Sequence, residues 1–209
     1  MTAVLATAAE LPLFPLNTVL FPGGLLELKI FEARYVDLIT SCLRQQSGFG
    51  VVCLREGTEV RKAEEAIAFE TIGTQVELLE VDSAQTGILR VRCRGIERFE
   101  LRTSRQQSDG LWLANGVTFI EADAEVEPPD ALVATARGLG EAITALAAQG
   151  AHPFLLPHRL DRAGWVANRW CEILPLPMEG KQKLLELRDP ILRLEIVDGL
   201  LRRSQGRDS

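Results

Sequence analysis

The chain has 209 residues, 46% of them hydrophobic and 25% charged, enough for one large domain or two small ones that each bury a core. Its net charge of −6 weighs against a general nucleic-acid binder, because the phosphate backbone rewards a positive face. No run approaches the roughly 20 apolar residues of a membrane helix, so no membrane partner is expected. The opening MTAVLATAAE is apolar but short, with no positive region before Glu10, and reads as a loose tail and not a signal peptide. The four cysteines, Cys42, Cys53, Cys93 and Cys171, form no CxxC pair and each sits in an apolar-periodic segment. They are expected to be small buried hydrophobes in a reducing compartment, which places the protein in the cytoplasm.

Leu11 to Tyr35, LPLFPLNTVLFPGGLLELKIFEARY, punctuates the start of the chain. Pro12 and Pro15 limit any strand there to a short or edge one. Asn17-Thr18 suits a turn, and Pro22-Gly23-Gly24 is a stronger one. Leu26, Leu28 and Ile30 alternate with Glu27, Lys29 and Phe31, which predicts a strand with one polar face. Tyr35, Leu38, Ile39 and Cys42 then predict an amphipathic helix ending near Gln46 and Gly48. Strands are expected at Phe49 to Leu54, Thr71 to Val81, Ile88 to Arg102 (bent at Gly95) and Trp112 to Ile120. Gly57 to Ala66 reads as a loop and Ser83 to Gly87 as a hairpin turn.

Composition shifts at Glu121 to Asp130 (EADAEVEPPD), an acidic Pro-Pro stretch that reads as a linker or long connection. Beyond it the period is helical. One face runs through Leu132, Ala136, Leu139, Ile143 and Leu146, with Gly138 and Gly140 marking a close helix contact or a kink. A second runs through Leu160, Gly164, Ala167, Cys171 and Leu174, stopped by Pro175 and Pro177. Met178 to Leu187 is a third helix. Asp189-Pro190 caps a last one running to about Arg202.

Catalytic signatures are missing. Gly138-Leu139-Gly140 lacks the later glycine of a dinucleotide loop, and Gly180-Lys181 lacks the Ser or Thr of a phosphate loop. His152 and His158, the only histidines, flank the loop HPFLLPH; with Cys171 they make a poor metal set. No cofactor, metal or catalytic residue is assigned. Arg90, Arg92, Arg94, Arg98 and Arg102 share one parity, so an unbroken strand would carry an arginine row. The favoured reading is a solvated face paired to acids such as Glu77 or Glu80, with a bulge at Gly95 breaking the row. Phe154, Leu155, Trp165 and Trp170 are the candidate binding residues, an apolar patch that meets a partner.

Leu11 to Tyr35 resembles the opening of the LON domain, the N-terminal domain of Lon-type ATP-dependent proteases. The likeness continues through Phe49 to Leu54, Ile72-Gly73-Thr74 to Val81, and LRVRCRGIERFEL at Leu89 to Leu101. It closes with Leu174-Pro175-Leu176, KQKLLE at Lys181 to Glu186, and Asp189 to Glu195, so it spans roughly residues 10 to 203. The resemblance implies an α+β fold: a PUA-like β pseudo-barrel with one helix at 10–122, then a helical bundle at 129–203. It also implies a non-enzymatic role in binding unfolded or partner polypeptides, since ATPase and Ser-Lys peptidase chemistry belong to other domains of those proteases. A stand-alone LON-domain protein is therefore expected, with contact near Phe154 or between the two halves. RNA binding through the barrel is the alternative and needs the arginine row to be exposed and unpaired.

Overall fold

The computed structural model describes residues 7–59, 67–85 and 87–205. Most of the opening tail, residues 60–66 of the expected charged loop, Thr86 of the expected turn, and the last four residues lie outside these. Two compact units divide the chain, one ending at Ala122 and one beginning at Asp123.

In the first unit, β1 (Thr7–Leu16) leads to β2 (Leu25–Ile30), α1 (Ala33–Gln45), β3 (Phe49–Glu56) and the short β4 (Ala68–Phe69). Then come β5 (Ile72–Gln85), β6 (Ile88–Glu100), β7 (Thr103–Gln106) and β8 (Trp112–Phe119). The strands order as β2-β6-β5-β3-β1-β8-β7, with β4 beside β3. An extra pairing of Phe99 with Phe119 and Glu100 with Thr118 joins β6 to β8, so β6, β5, β3, β1 and β8 close into a ring. Outside that ring, β2 pairs only with β6 and β7 only with β8 among the described residues.

β1 departs from expectation twice: it begins inside the stretch read as a tail, and it is long and internal despite two prolines. The register explains this. β1 pairs antiparallel with β8 from Thr7 to Leu13, then parallel with β3 from Leu13 to Leu16. Pro12 precedes the β3 pairing and Pro15 follows the β8 pairing, so each has a partner strand on one side only. A residue with no N–H is tolerated there for the same reason it is tolerated at a sheet edge.

α1 matches its expected span and buries Tyr35, Leu38, Ile39 and Cys42. These pack with Phe14, Phe49 and Val51 from the strands. Phe14 and Tyr35 stack at 3.7 Å between ring centroids. The Pro22-Gly23-Gly24 turn docks on Gly95: Gly23 donates its N–H to the Gly95 carbonyl at 2.8 Å, and Gly95 donates its own to the Gly24 carbonyl at 2.9 Å. A Cβ at Gly95 would stand 2.6 Å from the Phe21 carbonyl oxygen, so only glycine lets the turn approach.

The second unit opens with a 3-10 turn at Asp130–Leu132 and carries α2 (Val133–Ala148), α3 (Ala163–Ile173), α4 (Met178–Glu186) and α5 (Pro190–Gln205). Asp189 caps α5 as expected, its Oδ1 accepting from the N–H groups of Ile191 (2.8 Å) and Leu192 (3.2 Å). α2 runs unbroken through its glycines. The Cβ position of Gly138 faces the Trp170 ring, and that of Gly140 faces Leu160. Asp130–Ala148 is long and apolar enough to cross a membrane by length and composition, contrary to expectation, although it carries Arg137 and Glu141 and buries Thr135, Ala136 and Leu139 in the unit.

The segment read as a linker or long connection packs into the helical unit through Asp123 and Val126. Val126 lies against the helical core and accepts a hydrogen bond from the Ala163 N–H at 2.9 Å. Asp123 pairs with Arg193, whose side chain is 1% exposed. Arg193 also donates to Asn168 Oδ1 (3.1 Å), to the Leu184 carbonyl (2.9 Å) and to the Leu187 carbonyl. One guanidinium thus joins the connection, α3, α4 and α5.

Candidate polypeptide-binding surfaces

The four candidate binding residues all lie in the helical unit, in two different settings. Phe154 is buried, with Trp165 edge-on at 6.2 Å. The Arg169 guanidinium stands 5.8 Å from the Phe154 ring and 5.7 Å from that of Trp165. The His158 ring is 5.8 Å from Trp165. Leu155 is half-buried, and its neighbour Leu156, 80% exposed, is a large apolar side chain this loop offers to solvent.

Trp170, five residues along α3 from Trp165, points elsewhere. Its indole N–H donates to the Thr135 carbonyl at 3.0 Å. With Thr135, Gly138, Glu141, Asp198 and Leu201 it lines a hollow of about 500 Å³ between α2 and α5. Phe154, Trp165 and Trp170 thus share one helical core, and of the four candidates Trp170 lines this hollow. Among the described residues no cluster of three or more His, Cys, Asp or Glu is placed to hold a metal. Cys171 is buried, and burial pushes its thiol up to about 12.

Beneath Trp165, Arg169 pairs with Glu172 at 2.6 Å. Burial works against charge on both partners, lowering the arginine and raising the carboxyl of Glu172 to about 7, with Arg169 and Lys181 opposing the rise.

In the strand-rich unit, the arginine row is paired and broken. Arg94 pairs with Glu77, and Arg92 reaches Glu80 at 2.9 Å and Glu27 at 3.3 Å. Arg90 lies opposite Asp82. The register of β5 on β6 then shifts by one residue, since Val76 faces Gly95 while Thr74 faces Arg98. That bulge turns Arg98 inward, where it is 3% exposed. The exposed, unpaired row that RNA binding requires is absent from β6.

A different surface follows β2. On one side Glu27, Lys29, Glu80, Asp82, Arg90 and Arg92 surround a shallow hollow of about 420 Å³. On the other a smaller hollow of about 200 Å³ has walls from Phe14, Leu28, Phe31, Tyr35 and three carboxylates, Glu27, Glu32 and Glu59. Burial raises Tyr35 to about 12; Arg34 opposes this, while Glu32 and Glu59 add to it. Arg34 is itself buried, bonded to the Gly110 carbonyl and the Glu32 carboxylate, each at 2.8 Å, and lies over the Tyr35 ring. The local sequence pattern does not reveal this hollow, whose walls come from separate elements. The available signal was Phe31, a large apolar residue on the polar parity of β2, now 55% exposed.

The sequence model of the ATP-dependent protease La (LON) substrate-binding domain matches residues 10–203. The chain belongs to that family. A Lon N-terminal domain protein from Xanthomonas campestris has a similar structure, with TM-score 0.72 and 32% identity over 92% of this chain and 98% of that one. The N-terminal domain of a Mycobacterium avium complex Lon protease shares the fold at TM-score 0.60 and 16% identity, over 90% of this chain and 95% of that one. Among curated proteins, the Lon protease of Anaeromyxobacter dehalogenans is 28% identical over 94% of this chain but only 23% of its own length. Lon protease 2 of Myxococcus xanthus is 26% identical over 93% of this chain and 24% of its own. This LON substrate-binding domain thus spans about a quarter of the length of the curated relatives it matches.

Proposed function

We propose that this LON substrate-binding domain binds unfolded or partner polypeptides in the cytoplasm and performs no ATP hydrolysis or peptide cleavage of its own. The observation that carries the reading is the match of residues 10–203 to the substrate-binding domain of Lon proteases. On this reading residues 10–122 form a PUA-like barrel and residues 129–203 a helical bundle. Leu156, beside Phe154, Leu155 and Trp165, gives the helical part an apolar contact point. The paired arginines of β6 count against the RNA alternative.

The test uses one polypeptide in two states. The immobilised protein is expected to retain a reduced, carboxymethylated and so permanently unfolded protein, and to pass the same protein in its native form. Equal passage of both overturns the reading.

A further inference from the structure

We propose that the free edge of β2 takes a segment of unfolded polypeptide as an added strand, and that it prefers segments in which lysine or arginine alternates with apolar residues. This rests on the polypeptide-binding reading above and locates it.

The first support is backbone direction. The Gly24 carbonyl accepts from Gly95, so Gly24 faces β6. Backbone groups alternate sides along a strand. In the observed register Leu26, Leu28 and Ile30 therefore also face β6, opposite Cys93, Val91 and Leu89. Leu25, Glu27 and Lys29 direct their N–H and C=O groups away from β6. Among the described residues no strand meets them. Such a row is a template for one more extended chain, which main-chain hydrogen bonds hold regardless of its sequence. That suits a domain that takes many unfolded segments.

The second support is the pair of hollows, one on each side of β2 and both lined by Glu27, Leu28 and Lys29. An added strand sends successive side chains to opposite sides. The smaller hollow has apolar walls at Phe14, Leu28 and Phe31, the ammonium of Lys29 and three carboxylates, of which Glu32 is paired with Arg34 and Glu27 with Arg92, while Glu59 accepts from the Asn17 N–H. A long side chain with an apolar stem and a cationic tip fits those walls, since the stem covers the rings and the tip meets the carboxylates.

The experiment titrates the protein with a synthetic peptide alternating valine and lysine, followed by amide hydrogen exchange. Expected are slower exchange at Leu25, Glu27 and Lys29, little change at Leu26 and Leu28, and binding that weakens with salt. Glu27→Lys is expected to weaken the peptide roughly three- to tenfold, the scale of one exposed ion pair turned to repulsion. N-methylating the peptide on alternate residues, in the frame that faces β2, is expected to abolish binding. Equal binding of the N-methylated peptide overturns strand addition, and equal binding of a valine-glutamate peptide overturns the charge preference. No protection at Glu27 and Lys29 overturns the site. If unfolded carboxymethylated protein is still retained while this site fails, polypeptide binding stands and only its location falls.

Discussion

Asp123 and Arg193, seventy residues apart, form a two-pronged ion pair at 2.5 and 3.2 Å. It is one of the polar centres of the helical core, where Arg169 and Gln182 are also buried. The geometry is bidentate, and the remaining guanidinium N–H groups are spent on Asn168 and two carbonyls. Arg193→Met is expected to cost about 3–5 kcal/mol, because it strands a carboxylate and several acceptors that are largely out of water. Arg193→Lys is expected to recover only part, since an ammonium lacks the planar fork. Urea denaturation followed by helical circular dichroism measures both. A loss below about 1 kcal/mol for the methionine variant contradicts a stabilising role for the pair.

Gly73 tests the ring in the same way. A methyl group there would stand 2.3 Å from the Val51 carbonyl oxygen and within 3 Å of Val52 and Phe99. Gly73→Ala is expected to destabilise the strand-rich unit by about 1–3 kcal/mol or more, because the nearest obstacle is backbone. Thermal unfolding of the variant reads this directly. Gly87→Ala, where nothing lies within 4 Å but φ is +80°, is expected to cost only the backbone strain, about 1 kcal/mol.

Glu172 sets a pH dependence. Its carboxyl is raised by burial from 4.5 in the unfolded reference to about 7 in the fold. Between those values the folded state holds a proton that the unfolded state has released. The unfolded chain binds fewer protons, so stability falls as pH rises through that window, by at most about 1.4 kcal/mol per pH unit. Glu172→Gln is expected to flatten the slope. Urea midpoints at a series of pH values across the window, for both proteins, decide it.

All four thiols are buried and free, and burial raises each one. A thiol is unreactive until it becomes a thiolate with access to the reagent. Labelling by an aromatic disulfide reagent at neutral pH is therefore expected to be negligible in the native protein and complete in urea. Cys93 and Cys171, whose thiols are pushed up to about 12, are the sharpest cases, and fast labelling of either in the native protein would contradict its burial.

Much of the architecture was legible from periodicity. α1, α4 and α5 fall close to their expected spans, since each has a continuous apolar face and a local stop or cap. The strands β3, β5, β6 and β8 were likewise visible from apolar patterning. Thr103–Gln106 was missed because TSRQ carries no apolar alternation and is a strand only through its pairing with β8. β1 was underrated because the cost of a proline depends on which neighbour its missing N–H faces, and that is a fact about residues forty and a hundred positions away. The buried arginines were invisible for a related reason. Nothing in their spacing marks Arg34, Arg169 and Arg193 for burial, and Arg34 and Arg193 find Gly110 and Asp123 only through the fold. The hollow beside β2 has the same origin, with walls drawn from β1, β2, α1 and Glu59.

The place of β1 between β3 and β8 bears on how the chain is made. During synthesis β3, β5 and β6 emerge before β8, so for a time β1 carries an unpaired flank through Leu11 and Leu13. An open apolar strand edge is what drives wrong pairing between nascent chains. Because the ribosome tunnel conceals the newest residues, β8 becomes free only once translation is well into the helical unit, so a pause soon after Phe119 is made lengthens that exposure. Synonymous codon changes that slow translation shortly downstream of β8 are thus the ones that should lower soluble yield with the protein sequence untouched.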